Sequence, residues 1–224
     1  MSNPSSETSR FEAKMLLGCV VGVIAISVFA ALTAEVREGD FSAIDRVLLL
    51  AFRVPGHLDK AIGPRWVLES VRDVTALGGF TVLALVSLCT TFMLVVHAKH
   101  RQAIVFLSAV VLSQAGSEVI KHLVDRARPA IVPHLDMVYS SSFPSGHAMM
   151  SPVVYLILAS MLAAREPRVA LKIAWQVGAI TLVVGIGVSR VYLGVHWPTD
   201  VLAGWLLGSV VALVSILALA RTPI

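Results

Sequence analysis

Three short polar clusters interrupt an otherwise apolar chain, and their residue types suit the handling of a phosphoryl group. Lys121 with Arg128-Pro129 reads K-x6-R-P, and Pro144-Ser145-Gly146-His147 reads P-S-G-H. Ser189-Arg190, His196 and Asp200 read S-R-x5-H-x3-D. Together they supply three fixed cations, two imidazoles, one carboxylate and a Gly-containing turn. Cations neutralise a phosphate, one imidazole can attack phosphorus, and another can protonate what leaves.

Lys121 and Arg128 stand seven residues apart, so on a continuing helix they share a face two turns apart. Arg128 offers a planar fork to two phosphate oxygens, whereas Lys121 acts as a point charge. Lys121 by itself would also fit a snorkelling anchor at a membrane end. Glu118 and Asp125, at i−3 and i+4, are expected to orient Lys121 through helix ion pairs. Arg126 fits either a headgroup contact or an anchor. Ser145 precedes an apolar helix and can cap it. The same helix start directs free N–H groups at an anion, with Gly146 permitting close approach. His147 is the natural proton donor. His196 and Asp200 are four apart, and Pro198 fits a first helical turn, which puts Asp200 early in the last helix. A carboxylate on one imidazole nitrogen fixes the tautomer and leaves the other nitrogen free to attack. The plain alternative is a pair of helix-capping residues.

These side chains must be positioned by membrane helices. The chain of 224 residues is 57% hydrophobic and 14% charged, with mean hydropathy +0.83. Soluble domains carry about 25% charge, so this chain belongs in a bilayer. A spanning helix needs roughly 20 apolar residues. Six stretches qualify: 15–34, 74–98, 102–124, 148–164, 173–188 and 201–220. The expected fold is an all-α integral membrane bundle of six transmembrane helices in one domain, 1–224. The first apolar core exceeds the roughly 7 to 15 residues of a signal peptide and no clear cleavage site follows, so it reads as an uncleaved helix. Cys19 and Cys89 fall inside spans and form neither a disulfide framework nor a metal site. The net charge of +4 reads as loop orientation and lipid headgroup contact, with no nucleic acid partner.

Loops rich in Lys and Arg stay cytoplasmic. Lys99, Arg101, Arg165, Arg168, Lys172, Arg221, Arg10 and Lys14 fall on one side of a six-helix topology, with residues 1–13 as a cytoplasmic tail. The three clusters, within 121–200, then face outward, toward the periplasm of a bacterial inner membrane. The outer loop 35–73 carries Arg37, Arg46, Arg53, Lys60, Arg65 and Arg72 against this rule, but long loops obey it less. Phe41, Ile44, Val47, Leu48 and Ala51 recur at helical spacing, which predicts a helix lying flat in the interface. A second short helix is expected near Pro64. This loop is either a solvated connector or a lid for lipid entry.

Taken jointly and in order, the clusters resemble the type 2 phosphatidic acid phosphatase (PAP2) superfamily, whose members include membrane lipid phosphatases and which is similar to vanadium haloperoxidases. The resemblance covers Lys121 to Asp200 and the six-helix frame. It implies one metal-free, cofactor-free site in which His196 attacks phosphorus to form a phosphohistidine, Asp200 orients His196, and His147 protonates the leaving oxygen. Lys121, Arg128, Arg190, Ser145 and the Gly146 backbone would neutralise the transition state. The implied partner is a membrane lipid phosphate or pyrophosphate, such as undecaprenyl pyrophosphate or phosphatidate. Phosphatidylglycerol phosphate and lipid A phosphate present the same chemistry. A transporter or flippase would place its charges at mid-membrane depth and show inverted repeats, and neither is evident. A haloperoxidase needs no six spans, and a non-catalytic relative would lack some of the chemical residues.

Overall fold

The computed structural model describes residues 4–39 and 42–220, with side chains described from Leu16 onward. Phe41 and Arg221, and the side chains of Arg10 and Lys14, lie outside the described residues. The order is α1 (Pro4–Glu38), α2 (Ser42–Leu50), a hairpin of β1 (Arg53–Val54) and β2 (His57–Ala61), then α3 (Arg65–Ala76) and α4 (Phe80–Val96). α5 (His100–Val124), α6 (Gly146–Arg165), α7 (Val169–Tyr192) and α8 (Pro198–Ala220) follow. Five helices are long and apolar enough to cross a membrane, and a sixth crossing arises if α3 and α4 form one span bent by 42°.

That bend is the main departure from the expected second span, 74–98. The Gly78-Gly79 pair follows α3, and Gly79 stands in extended conformation ahead of α4. Residues 74–76 therefore belong to α3 and the straight apolar run begins only at Phe80. Tyr155 donates its hydroxyl proton to the Leu77 carbonyl at 2.6 Å, which anchors the corner to α6. The first span also continues past Ala34 to Glu38. The short hairpin at Arg53–Ala61 was not foreseeable from alternation, since two paired residues carry no period.

α6 is the most enclosed span, with 56% of its apolar window buried, and α8 packs along it. Lipid tails are as apolar as leucine, so helix association here rests on close packing of small residues. Gly204 shows why α8 can lie so near the start of α6. A Cβ at that position would stand 2.7 Å from the Ser145 carbonyl oxygen and 2.9 Å from the Met149 nitrogen. Phe106, Val153, Val154 and Ile157, all fully buried, fill the space between α4, α5 and α6. Leu17, Ile24, Leu88, Phe92 and Leu112 stand on the outside, where a bilayer replaces water.

α2 is amphipathic in an unusual sense: Ile44, Val47 and Leu48 are exposed, while Asp45 and Leu49 are completely buried. Ile44, Val47 and Leu48 face away from the protein, while Leu49 and the Asp45 carboxylate face in.

Candidate active site

The C-terminal ends of α5 and α7 and the N-terminal ends of α6 and α8 gather at one end of the bundle. α5 ends at Val124, where the apolar stretch 102–124 ends, because Asp125 adopts a left-handed conformation (φ 43, ψ 45) and donates its N–H to the Lys121 carbonyl. Arg128 is therefore not two turns along the Lys121 face, as a continuous helix would place it. It approaches through the irregular segment between α5 and α6, just ahead of Pro129. Glu118 does pair with Lys121, at 3.0 Å. Asp125 meets Lys121 through its backbone.

A cavity of about 390 Å³ collects Lys121, Arg128, Gly146, His147, Arg190 and His196 in one lining. Lys121 stands over the first turn of α6, where a Cβ on Gly146 would lie 3.7 Å from its Nζ. Arg128 is fixed by the carbonyls of Ser140 (2.8 Å) and Val195 (2.7 Å), and its Nη1 donates to His196 Nε2 at 3.2 Å. An arginine has no acceptor, so that contact assigns the lone pair to Nε2 and the proton to Nδ1. Nδ1 faces Asp200 Oδ2 at 3.4 Å, too long for a strong hydrogen bond. Asp200 Oδ2 also accepts from the Trp197 N–H at 2.8 Å and from the Ser142 hydroxyl. The imidazole thus presents Nε2 to the cavity and Nδ1 to the carboxylate.

Arg190 donates through Nη1 to Asp136 (2.6 Å) and to Thr75 (2.9 Å). Its Nε, together with Ser145 Oγ and Ser117 Oγ, is buried with no hydrogen-bond partner among the described residues. Ser145 is the N-cap of α6 but makes no side-chain cap bond, so its hydroxyl is not consumed by the helix. Buried donors normally find partners. Arg190 lines the cavity, Ser145 precedes the Gly146 that lines it, and Ser117 Oγ lies 4.0 Å from where a Gly146 Cβ would stand, an arrangement that fits an oxyanion with several acceptor oxygens. Among the described residues no three His, Cys, Asp or Glu side chains gather as metal ligands.

His147 stands against the α3–α4 corner. A Cβ on Gly78 would lie 3.2 Å from its Cδ2, and one on Gly79 would lie 3.8 Å from its Nε2. At Gly78 a side chain would crowd this ring and, more severely, Ile186, whose Cγ2 would stand closer still. Phe80, Leu83 and Ala84 of α4, with Val110 of α5 and Met150 of α6, form the apolar side of the same cavity. Phe80 is exposed toward the lipid side.

Burial, followed by the nearby Arg190, lowers Arg128 to about 10, so it remains a cation at neutral pH. Burial pushes His196 down to about 4, and the adjacent Asp200 only partly opposes this. The free base is the attacking form, and a depressed value keeps it unprotonated down to that range. Turnover should therefore hold as pH falls toward 5 and drop through about 4. A pH–rate profile in detergent checks this; an acid limb near 6.5 would contradict it.

Sequence reasoning passed over Asp136, Thr75 and Asp45, and Arg126 turns out to be neither a headgroup contact nor a plain anchor. It bridges Asp45 (2.7 Å) and Asp200 (2.6 Å). The one available signal was two arginines in D-R-A-R-P, of which only the second could be matched to a phosphate role.

A six-span helical membrane frame with this cavity at one end defines a membrane enzyme that handles phosphate. The profile of the PAP2 superfamily matches residues 102–222, more than half of the chain. The chain belongs to the PAP2 superfamily and is a membrane lipid phosphatase. It is 31% identical to phosphatidylglycerophosphatase B of Bacillus subtilis over 147 residues, covering 64% of this chain and 70% of that one. It is 32% identical over 142 residues to undecaprenyl-diphosphatase of Sulfolobus acidocaldarius, covering 60% and 64%. In structure it is similar to a transmembrane PAP2-type phosphatidylglycerolphosphate phosphatase from Bacillus subtilis, with TM-score 0.77, 28% identity and coverage of 87% and 93%.

Proposed function

We propose that the chain removes the terminal phosphate from a membrane lipid phosphate or diphosphate, through a phosphohistidine on His196. The observation that supports this most is the His196 Nε2 lone pair set among Lys121, Arg128 and Arg190, with unpartnered buried donors beside it. Phosphate binding would draw the Arg128 N–H from Nε2 onto a phosphate oxygen and free the lone pair. Nε2 then bonds to phosphorus as the bond from phosphorus to the leaving oxygen breaks, and His147 gives that oxygen its proton. Water next attacks phosphorus, His147 takes a proton back, and inorganic phosphate leaves with His196 restored. The cations and the N–H groups of α6 offset the charge that builds on the equatorial oxygens. The lipid chain lies along Phe80, Leu83, Ala84 and Val110, which lead from the cavity to the bilayer.

The test is phosphate release by purified protein in detergent from polyprenyl diphosphate, phosphatidate, phosphatidylglycerol phosphate and lipid A. Release from at least one lipid is expected, unchanged by EDTA and inhibited by vanadate. Loss of turnover on chelation, restored by Mg²⁺, would contradict the site reading.

The site faces the periplasm in our reading. Lys99, Arg101, Arg165, Arg168 and Lys172 lie at the opposite end of the bundle, as the charge rule requires of a cytoplasmic face. Three of the arginines that run against the rule have structural duties: Arg37, Arg53 and Arg72 each donate to a backbone carbonyl. With Cys19 and Cys89 replaced by Ser, Tyr139→Cys should react with an impermeant maleimide on intact cells and Arg168→Cys should not. The reverse pattern would overturn the orientation.

A further inference from the structure

The only charged group that directly engages the Oδ1 side of Asp200 comes, among the described contacts, from outside the three motifs. Arg126 Nη1 donates to Asp200 Oδ1 at 2.6 Å and to Thr199 Oγ1 at 2.7 Å, while Nη2 donates to Asp45 Oδ2 at 2.7 Å. Asp45 is fully buried and accepts two further bonds, from the Thr199 N–H at 2.9 Å and its hydroxyl at 2.6 Å. It therefore caps the first turn of α8 from another helix, satisfying a donor that α8 cannot satisfy itself. The Arg126 guanidinium also lies 5.6 Å from the centre of the Trp197 ring, beside His196. Both carboxylates are completely buried, and each would be costly without the cation between them.

We propose that Arg126 and Asp45 are positioning residues for the nucleophile, acting on His196 through Asp200. Arg126 holds one oxygen of Asp200 so that the other faces Nδ1, and Asp45 holds Arg126. Because Asp45 sits on α2, whose Ile44, Val47 and Leu48 face outward, the interfacial helix is joined to the nucleophile by a continuous polar chain. This rests on the reading of His196 as nucleophile.

The charged groups facing His196 are Asp200 from α8, Arg128 from the loop after α5 and Arg190 from α7, with His147 of α6 and Lys121 of α5 around the same cavity. Asp136 faces Arg190, and Glu118 faces Lys121. None of these changes in the variants below, so a shift reports on Arg126 and Asp45. Without Arg126, the buried Asp200 charge is left to a proton on the dyad, and the free imidazole is lost at higher pH. Without the Asp45 charge, Arg126 bears on Asp200 unopposed, and the shift has the opposite sign.

The experiment measures the pH dependence of phosphoenzyme formation by quenching in strong base, alongside kcat and KM, with a lipid phosphate that the unaltered protein hydrolyses. Arg126→Gln should lower kcat by about 10- to 100-fold with little change in KM. Its acid limb should rise by about one pH unit. Arg126→Lys, which keeps the charge but can reach fewer partners, should recover part of kcat and return the limb. Asp45→Asn should move the limb down by about half a unit. If Arg126→Gln does not fold, the Asp45→Asn limb decides, because a structural role moves neither limb. Unmoved limbs in the folded variants, with label normal in the unaltered protein, would overturn the coupling alone. Absence of label from His196 in the unaltered protein would contradict the nucleophile itself, and this inference with it.

Discussion

Replacing His196 with Ala is expected to lower kcat by at least about four orders of magnitude, as removal of a covalent nucleophile does elsewhere. Among the described residues, His147 is the one other imidazole lining the cavity, and it is poorly placed to take over. His147 is held at the α3–α4 corner, backed by Gly78 and Gly79, and no carboxylate in its own motif orients it. His147→Ala should behave differently. The loss should be largest when the leaving group is a lipid alcohol, which needs its proton in the transition state. It should be smaller when the leaving group is itself a phosphate, already a weak base. Parallel rates on phosphatidate and on a polyprenyl diphosphate separate the two roles. Equal losses on both substrates in His147→Ala would remove its assignment as the acid.

The second large effect is expected at Arg190. Arg190→Ala should reduce kcat/KM by about 10²- to 10³-fold, the cost of losing one preorganised donor at a developing oxyanion. Its Nη1 is already engaged by Asp136 and Thr75, which fix the guanidinium while leaving Nε without a partner. Arg190→Lys should recover little. An ammonium is a point charge and cannot hold Asp136 and a phosphate oxygen with the same fork geometry. Asp136→Asn should retain the cation but loosen it, and give an intermediate loss. Steady-state kinetics on the three variants checks the order; a fully active Arg190→Lys would show that charge alone suffices.

The site was legible where its chemistry is local. His196 and Asp200 belong to one turn, Pro198 does start α8, and Ser145-Gly146-His147 do open α6. Arg128 was readable as a residue but not as a position, because a left-handed Asp125 ends the helix and no pattern announces that conformation in an aspartate. The supports were not legible. Asp45 lies 81 residues from Arg126, and Arg190 lies 54 from Asp136, so only the folded chain brings each pair together. A buried carboxylate in an interfacial helix has the same sequence signature as an exposed one. The broken second span was hidden for a related reason: hydropathy continues through Gly78-Gly79 while the backbone turns.

The proposed mechanism passes the phosphoryl group through His196. The direct measurement is brief reaction with a lipid substrate ³²P-labelled in its terminal phosphate, quenched in strong base, where phosphohistidine survives, followed by peptide mapping. Label is expected on the peptide containing His196 of the unaltered protein, lost on brief acid treatment and absent from His196→Ala. Label that persists in His196→Ala, or that maps to any other residue, would contradict the account.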